Sequence, residues 1–486
     1  MWAGTQPLNG RTAQVLTQTD LESVHNATLR VLEEVGVELQ GAAILRGLAR
    51  RRGIRVVDSR VHLSPAVVET AISQAPGQVT LRACNPTFDL NLGTGQVCYT
   101  NAFGATFVCD SERHSYRKAT LADVADYVRV ADALENVHYV LTPYVPQDVS
   151  PAVAEVYAAA QQFSNTQKHV AVGVPNADFM DALWEMGQIV ARAAGVDGPL
   201  YSLGCTVNSP LVYTAEMLAK LEYSARRNVP LRVVCGALAG ATAPVTLAGA
   251  LVLQNAEVLA GITLCQLISP GCPVVYGTFV GAADMRTGKW AAAGPEMSLL
   301  TAASAQLCRK YDIPLGYGTG GVTDARAPDV RAGLEKGLTN LAAALCGVEV
   351  IHDGVSGLMA GGLANSLEQL LIDDEIARWI NRFLRGIKVD VTTLALEVIR
   401  QVGPGGQFLD HEHTAAWFRA EHHLSALLGR EYVLEWPTDD GSDMVMSART
   451  RLRDILAAHH PAPLDAAARR AMDKVLYRLG NHHTVM

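Results

Sequence analysis

The sequence has no CxxC pair among its nine cysteines, no extended basic tract and few aromatic residues, 6% of 486. It also has no uninterrupted apolar run of ~18 residues, the length that crosses a bilayer. Each shortage excludes something. Without close thiol spacing a thiolate zinc site is unsupported. Cys205 in YSLGCTV and Cys235 in LRVVCG read as free, buried thiols of a reducing compartment. The most apolar stretch, TAPVTLAGALVLQNAEVLAGITLCQLISPGCPVVYGTF, is broken by Gln254, Asn255, Glu257, Gln266, Pro270 and Pro273. It therefore reads as a buried helix followed by a buried strand. The amino terminus lacks the apolar run of a signal peptide. A net charge of -8 and a pI near 6.0 lack the positive footprint that nucleic acid requires. The short tract LARRRGIR (48–55) reads as a solvated helix end. A cytoplasmic protein, with neither nucleic acid nor membrane among its partners, is the expectation.

What is present is a large apolar fraction, 49%, arranged with a period. Strand-like runs fall at 96–101, 137–144, 168–174, 200–207, 231–236, 273–279, 313–318 and 348–354, with helical patterns between them. TLAD (120–123) has the spacing of a capping box that opens one of these helices. The runs are continuously apolar, as parallel strands covered on both faces are. Eight strand–helix units of even spacing predict an α/β fold, a (β/α)8 TIM barrel, over residues 93–388. An open doubly wound sheet is the competing arrangement. Residues 1–92 read as an amino-terminal helical cap. Residues 389–486 read as a carboxyl-terminal helical extension that closes one side of the barrel or builds a subunit interface, making a homo-oligomer the expectation.

Chemistry in such a barrel belongs to the carboxyl ends of the strands. Those ends carry Tyr99, Asn101 and Phe103 after the first, Asn208 after the fourth, and Tyr276 and Phe279 on the sixth. Thr323 and Asp324 follow the seventh, and His352 ends the eighth. The set is rich in aromatics and amides. No strand ends in a lysine suited to a Schiff base, and none carries a cluster of metal ligands, so no metal is expected. The His411–His413 pair in DHEH lies after the barrel and reads as a solvated loop. Gly318, Gly320 and Gly321 in LGYGTGGVTD allow three readings. No Lys-Ser/Thr follows, and Thr323 stands where GxGxxG needs its third glycine, so neither phosphate motif is complete. A phosphate site at the seventh and eighth strands, with GGLANS (361–366), stays open beside a plain turn and beside clearance for a large partner.

The runs GYGTGGVTDARAPDVRAGLEKGL, GVEVIHDGVSGLMAGGLANSLEQLLIDDEIARWINRFLRGI and NAFGATFVCDSERHSYRKATLADVADYVRVADALENV resemble the trimethylamine methyltransferase (MttB-like) family, and nearly the whole chain shares the resemblance. It implies a (β/α)8 barrel that passes a methyl group from a tertiary or quaternary amine to the cobalt of a corrinoid (cobalamin) carried by a small partner protein. The founding archaeal members use pyrrolysine, which this sequence lacks. Relatives without it look like demethylases of quaternary amines such as glycine betaine, proline betaine or carnitine. On that reading Tyr99, Phe103, Tyr276 and Phe279 form an aromatic cage for the ammonium. Asn101 and Asn208 are polar contacts, His352 meets a carboxylate, and Asp324 balances the cation. Gly318, Gly320, Gly321 and Thr323 leave room for the corrinoid face. For each aromatic the competing role is core packing; for His352 it is a structural hydrogen bond. Two other functions stay in view: a phosphate- or nucleotide-binding lyase or isomerase, and a betaine-binding protein without turnover.

Overall fold

The computed structural model describes residues 6–7, 13–101, 103–173, 179–429, 443–461 and 464–483. Eight parallel strands run β1 (Gln96–Tyr99), β2 (Tyr139–Leu141), β3 (His169–Val172), β4 (Tyr201–Val207), β5 (Leu231–Cys235), β6 (Val274–Thr278), β7 (Leu315–Thr319) and β8 (Val350–His352). From β2 onward each pairs with the next, and β8 returns to β1 through Val350–Cys98 and Ile351–Tyr99. The last seam, β1 to β2, is held by the Thr100–Tyr139 bridge and a 2.9 Å bond from the His138 N–H to the Tyr99 carbonyl. The sheet closes on itself, so the fold is the expected (β/α)8 barrel.

A helix follows every strand: α1 (Leu121–Ala133), α2 (Ala154–Asn165), α3 (Met180–Ala194), α4 (Ala215–Arg227), α5 (Leu247–Ile268), α6 (Pro295–Tyr311), α7 (Val330–Leu345) and α8 (Leu367–Leu384). Thr120 and Asp123 cap α1 reciprocally, as their spacing predicts. Asp329 caps α7 by accepting from the Ala332 N–H at 2.9 Å. Helix α5 is apolar and long enough to cross a bilayer by composition, but 78% of its most apolar window is buried inside the protein. Its amides and its carboxylate are engaged there, while the Thr263 hydroxyl has no partner among the described residues. Gln254 donates to Tyr276 and Ser304, Asn255 to Thr28 and Tyr311, and Glu257 accepts from Ser209 and the Leu211 N–H. A buried amide or carboxylate is tolerated because its hydrogen bonds are made.

The amino-terminal segment is mixed rather than helical. Helices Gln18–Arg30 and Pro65–Gln74 pack on α5. Val37–Leu39, Ile54–Val57, Arg60–Leu63 and Val212–Tyr213 form a four-stranded sheet. The hairpin in IRVVDSRVHL turns at Asp58, whose φ of +55° suits the short polar side chain of aspartate. A second hairpin, Val79–Leu81 with Leu90–Leu92, closes the amino end of the barrel. Its apolar side chains pack with Cys98, Tyr139, Leu141, Ala171, Val275 and Val350, which point inward from the strands. After the barrel, helix Asp443–Ala458 lies against α8 and α1, and Ala466–His483 against α2 and α3. The extension thus binds the outer helical layer, through contacts such as Tyr157 Oη to the Leu476 carbonyl at 3.3 Å.

Candidate active site

Above the plug the barrel interior is not filled. The inward positions there are small, Gly173 after β3 and Gly204 on β4, and a cavity of about 330 Å³ opens toward the carboxyl ends. Phe103, Leu141, Thr206, Asn208, Arg232 and Tyr317 line it. That volume lies at the small end of ordinary ligand sites. A Cβ on Gly173 would stand 2.5 Å from Phe103 Cζ, so glycine is what lets this ring lie over the cavity.

One wall is aromatic. Tyr317 of β7 stacks on His352 of β8, with centroids 3.5 Å apart and an interplanar angle of 22°. Phe279, just past β6, meets Tyr317 edge-on at 6.1 Å and Trp290 at 4.7 Å. Trp290 sits on a short ribbon after β6, where Trp290–Ala291 pairs with Gly281–Ala283. Its Nε1 has no hydrogen-bond partner.

The interior also holds charge and orphaned polar atoms. His169 holds one tautomer: its Nδ1–H donates to the Arg82 carbonyl at 2.8 Å, and Nε2 accepts from Ser202 at 3.0 Å. Burial pushes its pKa down to about 3, so it is neutral. Burial also lowers His352, while Asp353 opposes the shift. His352 Nδ1 lies 2.9 Å from Asp353 Oδ2 but without hydrogen-bond geometry, and both its ring nitrogens are unpartnered. Asp353 has φ +62°, an uncommon conformation for a non-glycine residue, and its Oδ1 is also unpartnered. Arg232 is buried, and its Nε and Nη1 meet no acceptor. Glu155, in the first turn of α2, borders the same cavity with Oε2 unpartnered. Burial raises its pKa to about 7 against the pull of Lys220.

Of the residues read from sequence, Phe103 and Asn208 line this cavity, and Phe279 and His352 stand behind it against Tyr317. Tyr99, Asn101 and Tyr276 do not. Tyr99 points outward and donates to Asn381 of α8 at 3.3 Å. Tyr276 also faces the helices; its hydroxyl donates to Asn255 at 3.2 Å and accepts from Gln254. Asn101 bonds both backbone groups of Leu141, tying β1 to β2. Asp324 stands on the outer rim 3.6 Å from Arg331, its pKa raised first by burial and then by Glu335. Thr323 donates to Glu335 of α7 at 2.5 Å. The glycines after β7 need correction too. A Cβ would meet Val348 at Gly318, Ile351 and Asn340 at Gly320, and the Asp353 carbonyl at Gly321, which has φ +61°. They let β7, β8 and α7 pack closely and do not widen an entrance. The glycines that make room are Gly173 and Gly204.

Sequence reasoning passed over Tyr317, Trp290, Arg232 and Glu155. A signal existed for Arg232, a single charge inside the apolar strand LRVVC. The helical side of a barrel strand is apolar, so such a charge belongs inside.

A closed barrel, stoppered at one end and carrying an aromatic wall with unpartnered polar groups at the other, defines a small-molecule enzyme of the TIM-barrel class. Residues 5–481 match the family described as trimethylamine methyltransferase (MTTB), and the chain belongs to that family; it is a methyltransferase. It is 34% identical over 455 residues to the glycine betaine methyltransferase of Desulfitobacterium hafniense (strain Y51), covering 93% of this chain and 94% of that one. Identity is 33% over 466 residues to the trimethylamine methyltransferase MttB of D. hafniense (strain DSM 10664 / DCB-2), covering 95% and 93%. It is 30% over 487 residues to MttB of Methanosarcina barkeri, covering 98% and 97%. The crystal structure of the M. barkeri monomethylamine methyltransferase MtmB superposes with a TM-score of 0.53 at 12% identity, over 94% of this chain and 90% of that one, which bears on the fold alone.

Proposed function

We propose that the chain moves a methyl group from a quaternary amine, glycine betaine-like, to the Co(I) of a corrinoid carried by a separate small protein. The observation that carries the reading is the pair of rings, Tyr317 and Phe103, that line a cavity of about 330 Å³, with Phe279 and Trp290 packed behind Tyr317. A quaternary nitrogen has no N–H to donate, so ring faces are its natural receptors, each contributing ~0.5–2 kcal/mol. A reduced corrinoid supplies the nucleophile, and the leaving group is a neutral tertiary amine. The cavity fits this division of labour: it has room for a betaine-sized molecule but not for a corrin ring, which stays at the rim.

The chain's own contribution is orientation and exclusion of water. The plug seals the floor, and the rings hold the ammonium with one methyl toward the opening. The nitrogen is already cationic, so no acid is required to activate the leaving group. That suits a mouth whose histidines are held neutral by burial. The expected homo-oligomer is supported by an apolar face on α7 and α8, where Leu334 and Leu338 are each 60% exposed and Phe383 54%. The described cysteines are unbridged, which suits a reducing cytoplasm.

The test is methyl transfer from a panel of quaternary amines to Co(I) cobalamin, followed by its visible spectrum, with calorimetry alongside. Methylcobalamin formed from a quaternary amine is the expected result. Neither transfer nor binding across the panel would overturn the reading.

A further inference from the structure

Arg232 is a buried charge at the base of the cavity to which methyl transfer from a bare ammonium gives no task. It is 5% exposed, and its Nε and Nη1 have no acceptor. Among the described residues no carboxylate forms an ion pair with it, and Asp353 of the barrel interior lies instead 2.9 Å from His352 Nδ1. A buried charge without an anionic partner is costly to a fold, and the neutral Tyr139 hydroxyl beside the guanidinium does not balance it. The surroundings also leave room at the guanidinium. A Cβ on Gly204 would stand 3.4 Å from Arg232 Nη2. His169 and His352 are kept neutral by burial, so neither competes as a fixed positive charge.

The register sets the depth. Arg232 is level with Gly204 and with Val275, which belongs to the floor. Tyr317 is level with Gly277, two residues further toward the mouth, or ~7 Å along the strands. The cavity is therefore cationic at its base and aromatic nearer its opening.

We propose that Arg232 is the specificity-determining residue of this site: its guanidinium takes a carboxylate carried by the amine substrate and so turns the N-methyl groups toward the opening. A planar guanidinium matches a carboxylate through two parallel N–H bonds, and each of its two edges, Nε with Nη2 and Nη1 with Nη2, here carries an unpartnered nitrogen. This corrects the carboxylate role read from sequence for His352. The inference rests on the methyl-transfer reading, and one experiment separates the two.

Binding of glycine betaine, betaine methyl ester, choline and tetramethylammonium is measured by calorimetry, with transfer to Co(I) cobalamin in parallel. Wild-type protein is expected to bind glycine betaine ~100-fold or more tightly than the ester or choline, the scale for a buried charge pair losing one member. Arg232→Met is expected to erase that preference, and Arg232→Lys to restore part of it. Ligand-free Arg232→Met should melt no lower than wild type, whereas a structural arginine would lower the melting temperature. Equal wild-type affinity for betaine and choline overturns the assignment, as does a preference that survives Arg232→Met. If Arg232→Met does not fold, the wild-type panel alone decides. A betaine preference without transfer from any amine keeps the anchor and removes the methyl-transfer reading.

Discussion

Replacing Tyr317 by leucine and Tyr276 by phenylalanine separates the aromatic residues that meet substrate from those that hold the wall. Tyr317 faces the cavity and stacks on His352 at 3.5 Å. Removing its ring deletes one cation–π contact, ~0.5–2 kcal/mol. That corresponds to roughly 2- to 30-fold weaker binding of a quaternary amine. Tyr276 lies on the next strand but faces α5, where its hydroxyl sits between Gln254 and Asn255. Phenylalanine there leaves buried amide groups short of a partner, at a cost of about 1–3 kcal/mol in stability. Calorimetry with glycine betaine and urea denaturation measure the two quantities on the same preparations. Tyr317→Leu should move affinity, and Tyr276→Phe should move the unfolding midpoint with affinity within twofold of wild type. If Tyr276→Phe weakens binding as much as Tyr317→Leu while its stability is unchanged, the inward and outward assignment of these strands is wrong.

Gly173→Ala puts a methyl where Phe103 Cζ lies 2.5 Å from the built Cβ. Betaine affinity should fall several-fold, and Phe103→Ala added to it should cost little more, because both changes act on one ring. Glu155 keeps its proton up to about pH 7 in the folded chain, against an ordinary value of 4.5. The folded state then binds more protons than the unfolded one between those values, so stability falls as pH rises through that window. Glu155→Gln should flatten this slope, worth at most about 3 kcal/mol, in denaturation midpoints taken from pH 4.5 to 7.5. Lys336 and Asp373 form a fully buried pair at 2.8 Å. Lys336→Met strands the carboxylate and should destabilise by ~3–5 kcal/mol, read as a lower unfolding midpoint in urea.

The eight strands were legible because each is buried on both faces and reads as a continuous apolar run between helices. The same property hides which way each residue points. In PVVYGTF nothing distinguishes the helix side from the interior, so Tyr276 and Phe279 looked equivalent although one bonds α5 and the other meets Tyr317. The register between β6 and β7 also shifts at Tyr276–Gly277, which moves Tyr317 inward beside an inward-facing glycine. No local pattern announces that irregularity. Trp290 lies outside any strand of the barrel and reaches the site only through the fold of the ribbon after β6. Parity was recoverable at one place, Arg232, where a charge in an apolar strand decides the direction of its neighbours. The glycines after β7 misled because their crowding in sequence reflects crowding in space, with backbone of β8 against Gly321.

The hairpin that stoppers the amino end of the barrel makes the cavity a blind chamber with one door. In the proposed reaction the donor and the partner protein share that door, so their visits are ordered. The amine enters before the partner docks, and the demethylated amine departs after the partner leaves. Turnover is then governed by how long the partner stays, and excess partner slows the release of product instead of speeding the cycle.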